Sequence, residues 1–147
     1  ASSAALQDKV TAAGLLRCRA CWTLQLFANH APKLSDECVT QCVRASLTAL
    51  NDPMLPVRVE AAGAVRQLLA ASEHEGIDAL MRPALPQILD ACFRIMGDIG
   101  SDDVVQALEI VIDKFGDDIA PYAVALARNL AEAFANYAAA GEDDDEA

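Results

Sequence analysis

The sequence predicts an all-α fold, an α-solenoid in which antiparallel helix pairs stack side by side, and three observations carry that expectation. First, one apolar template recurs three times: Leu16, Ala20, Leu24 and Phe27; Val57, Ala61, Val65 and Leu68; Val104, Leu108, Ile112 and Phe115. Each copy has offsets of 0, +4, +8 and +11, which fall on one face of a 3.6-residue helix. Second, the copies start 41 and then 47 residues apart, close to the period of stacked two-helix repeats. Third, 54% of the 147 residues are hydrophobic and only 5% aromatic, while Gly and Pro are few and sit between the periodic segments. No strand-like alternation persists for more than a few residues.

Taken in order, residues 1–14 read as an incomplete loop or partial repeat. Helices are expected near 15–30, 36–50, 55–71, 77–97, 102–116 and 118–139, which makes about three pairs, and 141–147 reads as an acidic loop or tail. Between the templated helices lie partners with the same internal spacing, namely Val39, Val43, Leu47 and Leu50, then Leu85, Leu89, Phe93 and Met96, then Leu126, Leu130, Phe134 and Tyr137. Ser35 before Asp36 and Glu37 has the pattern of an N-cap with first-turn acids, and Ser101 before Asp102 and Asp103 repeats it. Pro32, Pro53 and Pro56 fall outside helix interiors or in first turns, where a missing N–H costs nothing. Pro83 and Pro86 fall early in the long fourth helix, where they kink it or mark the start of its regular part.

Each pair has an apolar stripe too wide to leave wet, so neighbours must stack on it. A stack of three pairs is expected to leave apolar end faces exposed, with solubility lower than the net charge implies. The chain begins with Ala and starts and stops at apparent loops, the pattern expected of a piece of a longer solenoid.

The formal charge is −11, and Glu142, Asp143, Asp144, Asp145 and Glu146 supply five of those units. A phosphate backbone is repelled by such a chain, so nucleic acid is a poor partner and a basic protein a better one. Charged residues interrupt every apolar run before the roughly 20 residues needed to span a bilayer. Residues 1–14 lack the basic start and apolar stretch of a secretory signal, and the expected setting is intracellular.

No constellation points to catalysis. There is no phosphate-cradling glycine loop, no paired-carboxylate motif with a nucleophile and no H-E-x-x-H, so neither an enzyme nor a cofactor is expected. His30 and His74 fall at the ends of templated helices, where a positive charge suits the carbonyl end. Cys18 with Cys21 and Cys38 with Cys42 offer four thiols of the kind zinc prefers. They sit in mid-helix at small or apolar positions, which favours buried hydrophobes over a metal site.

The segment Asp52-Pro53-Met54-Leu55-Pro56-Val57-Arg58-Val59-Glu60-Ala61-Ala62 resembles the HEAT signature of the armadillo-like helical repeats, an Asp in the turn followed by Val-Arg and paired Ala. Asp52, Val57, Arg58, Ala61 and Ala62 therefore read as structural positions, with Arg58 a rung of an Asp–Arg ladder. Leu16-Arg17-Cys18-Arg19-Ala20-Cys21 matches it in register, whereas Val105 stands where the third Arg should be. The ordered series from about 15 to 146 is similar to the middle of importin-β-type (karyopherin-β) nuclear transport receptors, in the branch of importins seven and eight.

That resemblance implies a non-catalytic, cargo-binding segment of a receptor that shuttles between cytoplasm and nucleus and engages Ran and nucleoporins. It also implies that the helices at 15–30, 55–71 and 102–116 line an inner surface, and that Glu142–Glu146 form an acidic insert. On those inner helices Arg19, Glu60, Arg66, Glu109 and Asp113 lie off the apolar stripe as candidate exposed contacts, and Trp22 is a candidate anchor. The acidic segment would steer a Lys- and Arg-rich cargo. A structural HEAT scaffold that holds fixed partners, unrelated to transport, is the alternative that the residues leave open.

Overall fold

The computed structural model describes residues 12–71 and 75–144. Among the described residues are seven α-helices and no strand: α1 (Ala12–Ala28), α2 (Asp36–Ala49), α3 (Leu55–Ala70), α4 (Glu75–Met81), α5 (Leu85–Asp98), α6 (Asp102–Ile119) and α7 (Ala123–Asp144). Three 3₁₀ turns, Ala31–Lys33, Arg82–Ala84 and Ala120–Tyr122, precede α2, α5 and α7, and each is built on a proline.

Local chemistry sets the boundaries. The Ser35 hydroxyl accepts a hydrogen bond from the Cys38 amide at 3.3 Å and caps α2. The Asp52 carboxylate accepts from the Met54 amide at 2.9 Å, closing the turn that leads into α3. Ser101 occupies the N-cap of α6 without a side-chain cap hydrogen bond, so Asp102 and Asp103 alone offset the helix dipole there.

Three expectations need correction. The helix expected over 77–97 is two helices, because Pro83 has no N–H to continue the ladder, and α5 restarts with Pro86 in its first turn. The break expected after residue 116 lies later: α6 bends at Phe115 (φ −122°, ψ 25°) but runs on to Ile119, and Pro121 makes the break. The acidic stretch expected to be a loop begins inside a helix, since α7 continues through Glu142 and Asp143 to Asp144. The alanine run Ala138–Ala140 propagates that helix against the unfavourable placement of acids at its carbonyl end. Asp145 and Glu146, most of the expected partial repeat at 1–14, and His74 lie outside the described residues.

Helices α1, α3 and α6 lie side by side in one layer, and α2, α4–α5 and α7 form the other. The core fills the space between, from Val39 and Val43 through Val65 and Leu68 to Ile88, Ile95 and Phe115. Because α2 packs on α3 more than on α1, the pairs close as α2–α3 and α5–α6, one helix later than the sequence order implies. That leaves α1 and α7 as outer members.

This placement explains why the three template copies fare differently. Val57, Ala61, Val65 and Leu68 are at most 2% exposed, because α3 has neighbours on both sides and across the core. In the third copy Val104, Leu108 and Phe115 are buried, and only Ile112 is open, at 38%. In the first copy Leu16 is 71% and Phe27 53% exposed. The buried positions of α1 are Gly14, Cys21 and Ala28, the +7 spaced face turned toward α3.

Candidate protein-binding surface

Side-chain cross-links lock the first layer together. Arg17 on α1 reaches the turn before α3, where its Nε lies 2.6 Å and its Nη2 3.2 Å from the Asp52 carboxylate. That fork is the bidentate geometry that guanidinium and carboxylate favour. The Arg17 hydrogen bond holds the Asp52 carboxyl below the usual carboxylate range, with partial burial opposing it and the Met54 amide adding to it. Arg58, the counterpart of Arg17 on α3, donates to the carbonyls of Asp52 (2.8 Å) and Pro53 (3.0 Å) and to Asp98 (3.3 Å). Arg17 thus reaches the turn before α3, while Arg58 holds that same turn from inside α3 and reaches across to Asp98, the last residue of α5. At the third copy Val105 has nothing to donate, and the ladder stops there. Val57, Ala61 and Ala62 are buried beneath these rungs.

Two positions expected to be open contacts are engaged within the protein. The Glu60 carboxylate and carbonyl accept from Gln25 Nε2 at 2.6 Å and 3.1 Å. The Gln25 amide lies over Gly63, where a Cβ would sit 2.8 Å from it, so any larger residue at 63 would push that side chain aside. Arg66 pairs with Asp103 at 3.1 Å, tying α3 to α6. Both are half-buried, because positions off the template stripe of the central helix face the flanking helices. The sequence does not mark Gln25 or Asp98, and it marks Asp103 only as a first-turn acid of its helix. The available signal is a glycine in mid-helix at 63, at the template position where the first copy has Trp22.

The remaining candidates are on the surface. Trp22 is 43% exposed, and the Arg19 guanidinium lies 5.0 Å over its ring. Glu109 and Asp113 are exposed on α6. Together with Asp102 and Asp117 they follow offsets of +7, +4 and +4 and form an acidic stripe along that helix. The other acids of α6 are neutralised: Asp103 by Arg66, and Asp118 by Arg82, whose guanidinium also lies 5.3 Å over Phe115. Lys114, the single basic residue of α6, is spent on Asp78 of α4 at 3.0 Å. Among the described residues no ion pair engages Asp102, Glu109, Asp113 or Asp117, so the stripe keeps its charge available for a basic partner. The backbone of α7 runs on through Glu142 and Asp143 to Asp144.

All five cysteines are free, and among the described residues no group of three or more His, Cys, Asp or Glu is placed to hold a metal. Burial pushes the thiols of Cys21 and Cys42 up and that of Cys92 up to about 12. An apolar groove of about 440 Å³ opens between α1 and α2, lined chiefly by Leu24, Phe27, Leu34, Cys38 and Cys42. Among the described residues no helix is long and apolar enough to cross a membrane.

Over 123 residues the chain is 37% identical to an importin beta-like SAD2 homolog of Arabidopsis thaliana, covering 83% of this chain and 12% of that protein. It is 38% identical over 122 residues to a probable importin-7 homolog of Dictyostelium discoideum, covering 82% and 11%. Importin-8 of Mus musculus is 31% identical over 127 residues, covering 82% and 12%. The chain therefore spans only 11–12% of the length of these curated relatives. No family model matches the sequence. No solved structure matches it.

Proposed function

Over the aligned segment this chain belongs to the importin-β family, and from that premise we propose that it is a non-catalytic, protein-binding part of a nuclear transport receptor that captures basic cargo. The observation that carries the basic-cargo reading is the uncompensated acidic stripe of α6. Four carboxylates on one helix face, with the neighbouring Lys114 and Arg66 already paired, draw in Lys- and Arg-rich segments and repel acidic proteins. The acids from Glu142 onward add to the chain's net negative charge. In the whole receptor, cargo held here is released when Ran in its GTP form changes the curvature of the solenoid, nucleoporins carry the complex through the pore, and the receptor shuttles between cytoplasm and nucleus.

The test is binding of this chain, with and without residues 141–147, to a Lys/Arg-rich nuclear protein at low and at physiological salt. The reading expects binding that weakens with salt, weakens when 141–147 are removed, and weakens further with Glu109→Gln and Asp113→Asn. Absence of binding by either form at low salt would make this segment a spacer that holds other repeats in place.

A further inference from the structure

Helix α6 changes direction at Phe115, and the residues flanking that bend are both gripped from α4 and the turn that follows it. Lys114, just before the bend, pairs with Asp78 of α4 at 3.0 Å, and Asp118, just after it, pairs with Arg82. The signs are exchanged between the two pairs: acid then base on the α4 side, base then acid on α6, four residues apart on each. Four residues is about one helical turn, so the two groups on each segment share a face. We infer that residues 115–116 form a hinge in α6 and that this charge-swapped clasp sets its angle.

The backbone is built to move there. Gly116 directly follows the bend, and a Cβ placed on it would meet nothing within 4 Å, so no close contact demands a glycine at that position. What the glycine supplies is backbone freedom at the joint. Phe115 is buried, with the Arg82 guanidinium 5.3 Å over its ring, and gives the joint a fixed pivot. Helix α4 itself packs chiefly on α2, so side chains are what tie it to α6. With one ion pair on each side of Phe115, any change of angle must draw Lys114 away from Asp78 or Asp118 away from Arg82. The four side chains keep 20–54% of their surface in solvent, where salt and competing ions reach them. Every member of the clasp finds its partner within this chain, so the joint needs no neighbouring repeat. Asp113 and Asp117 fall on opposite sides of the bend, and the clasp therefore fixes how far apart those two carboxylates stand. The hinge itself is independent of the cargo reading and holds whatever the acidic stripe binds.

Nuclear magnetic resonance of the isotope-labelled full chain tests the hinge. Asp78→Asn with Asp118→Asn removes both pairs, keeps side-chain size and leaves Arg82 over Phe115. Amide hydrogen exchange at residues 116–119 is expected to quicken about three- to tenfold in that variant, with their residual dipolar couplings reduced. Residues 104–111 of the same helix should keep both their exchange rates and their couplings. Adding Gly116→Ala, whose methyl enters open space, should take back most of the increase. Lys114→Asp alone should loosen the same segment, and Asp78→Lys in the same chain should tighten it again. Raising salt from about 20 mM to about 1 M should act on the wild type as the asparagine pair does, and it supplies the test should circular dichroism show a variant unfolded. Exchange that stays at the wild-type rate without the clasp, that quickens evenly along α6, or that the exchanged charges do not restore would overturn the inference.

Discussion

Helices α1 and α6 carry the same apolar template at opposite ends of one layer, and they differ in both packing and charge. Helix α1 has two arginines and no acid, and it shows much of its template stripe to solvent. Helix α6 has six acids against one lysine, and it buries most of its stripe under α5 and its neighbours. The comparison separates what a periodic pattern determines from what it does not. Spacing fixes that a segment is helical and which residues share a face. Whether that face is covered depends on the elements beside it, and the charge depends on residues outside the pattern.

The largest expected effect breaks the comparison at the core. Leu68→Ala on α3 removes a side chain 2% exposed and should cost about 3 kcal/mol, read by denaturant unfolding. The corresponding change at the first copy, Phe27→Ala, should cost well under half as much, because Phe27 is already half in water. Equal costs would mean that α1 is covered as fully as α3.

A smaller effect concerns the ladder that ties α1 to α3. Asp52→Ala removes the Arg17 fork and the Met54 hydrogen bond and should cost about 1–2 kcal/mol. The carboxyl of Asp52 is held below its ordinary value in the folded chain, so its share of stability is fully present above about pH 4 and is lost as pH falls through the lower folded value. Asp52→Asn should therefore be less stable at neutral pH and lose less on acidification, measured by thermal unfolding from pH 7 to pH 3. A variant that keeps the wild-type acid response would show that other carboxylates carry it.

The thiols give a chemical version of the same contrast without changing stability. Cys38 is exposed at the N-terminal end of the layers, whereas Cys92 is buried on α5 with its thiol pushed up to about 12. Iodoacetamide at pH 8 should modify Cys38 first and Cys92 only after denaturant is added, with mass spectrometry locating the label. Early modification of Cys92 would mean that α5 opens readily.

The sequence made the helical class, the three templated segments, the cap at Ser35 and the turn position of Asp52 legible, because those features depend on residues close together in the chain, whereas the cap expected at Ser101 makes no side-chain hydrogen bond. What escaped it depends on distant neighbours. Glu60 and Arg66 lie off the stripe and so resembled open contact positions, yet Gln25 and Asp103 from flanking helices engage them. Pro83 signals a kink or a helix start in the sequence, and in the fold it separates two helices. Pro121 gave a local signal of the same kind that periodicity alone passed over. The acidic run at Glu142 looked like a loop from its charge repulsion, whereas the alanines before it carry α7 through to Asp144. On α6 the residues Glu109 and Asp113 were legible as exposed acids, and the structure adds Asp102 and Asp117 to their line.

The most direct test of the account maps a basic partner onto the two helices by amide chemical shifts. A Lys/Arg-rich peptide titrated into isotope-labelled protein at low salt should shift the amides of α6 around Glu109, Asp113 and Asp117, and leave those of α1 around Arg19 and Trp22 in place. Shifts concentrated on α1, or spread evenly over both helices, would contradict the assignment of the acidic stripe as the surface that recognises cargo.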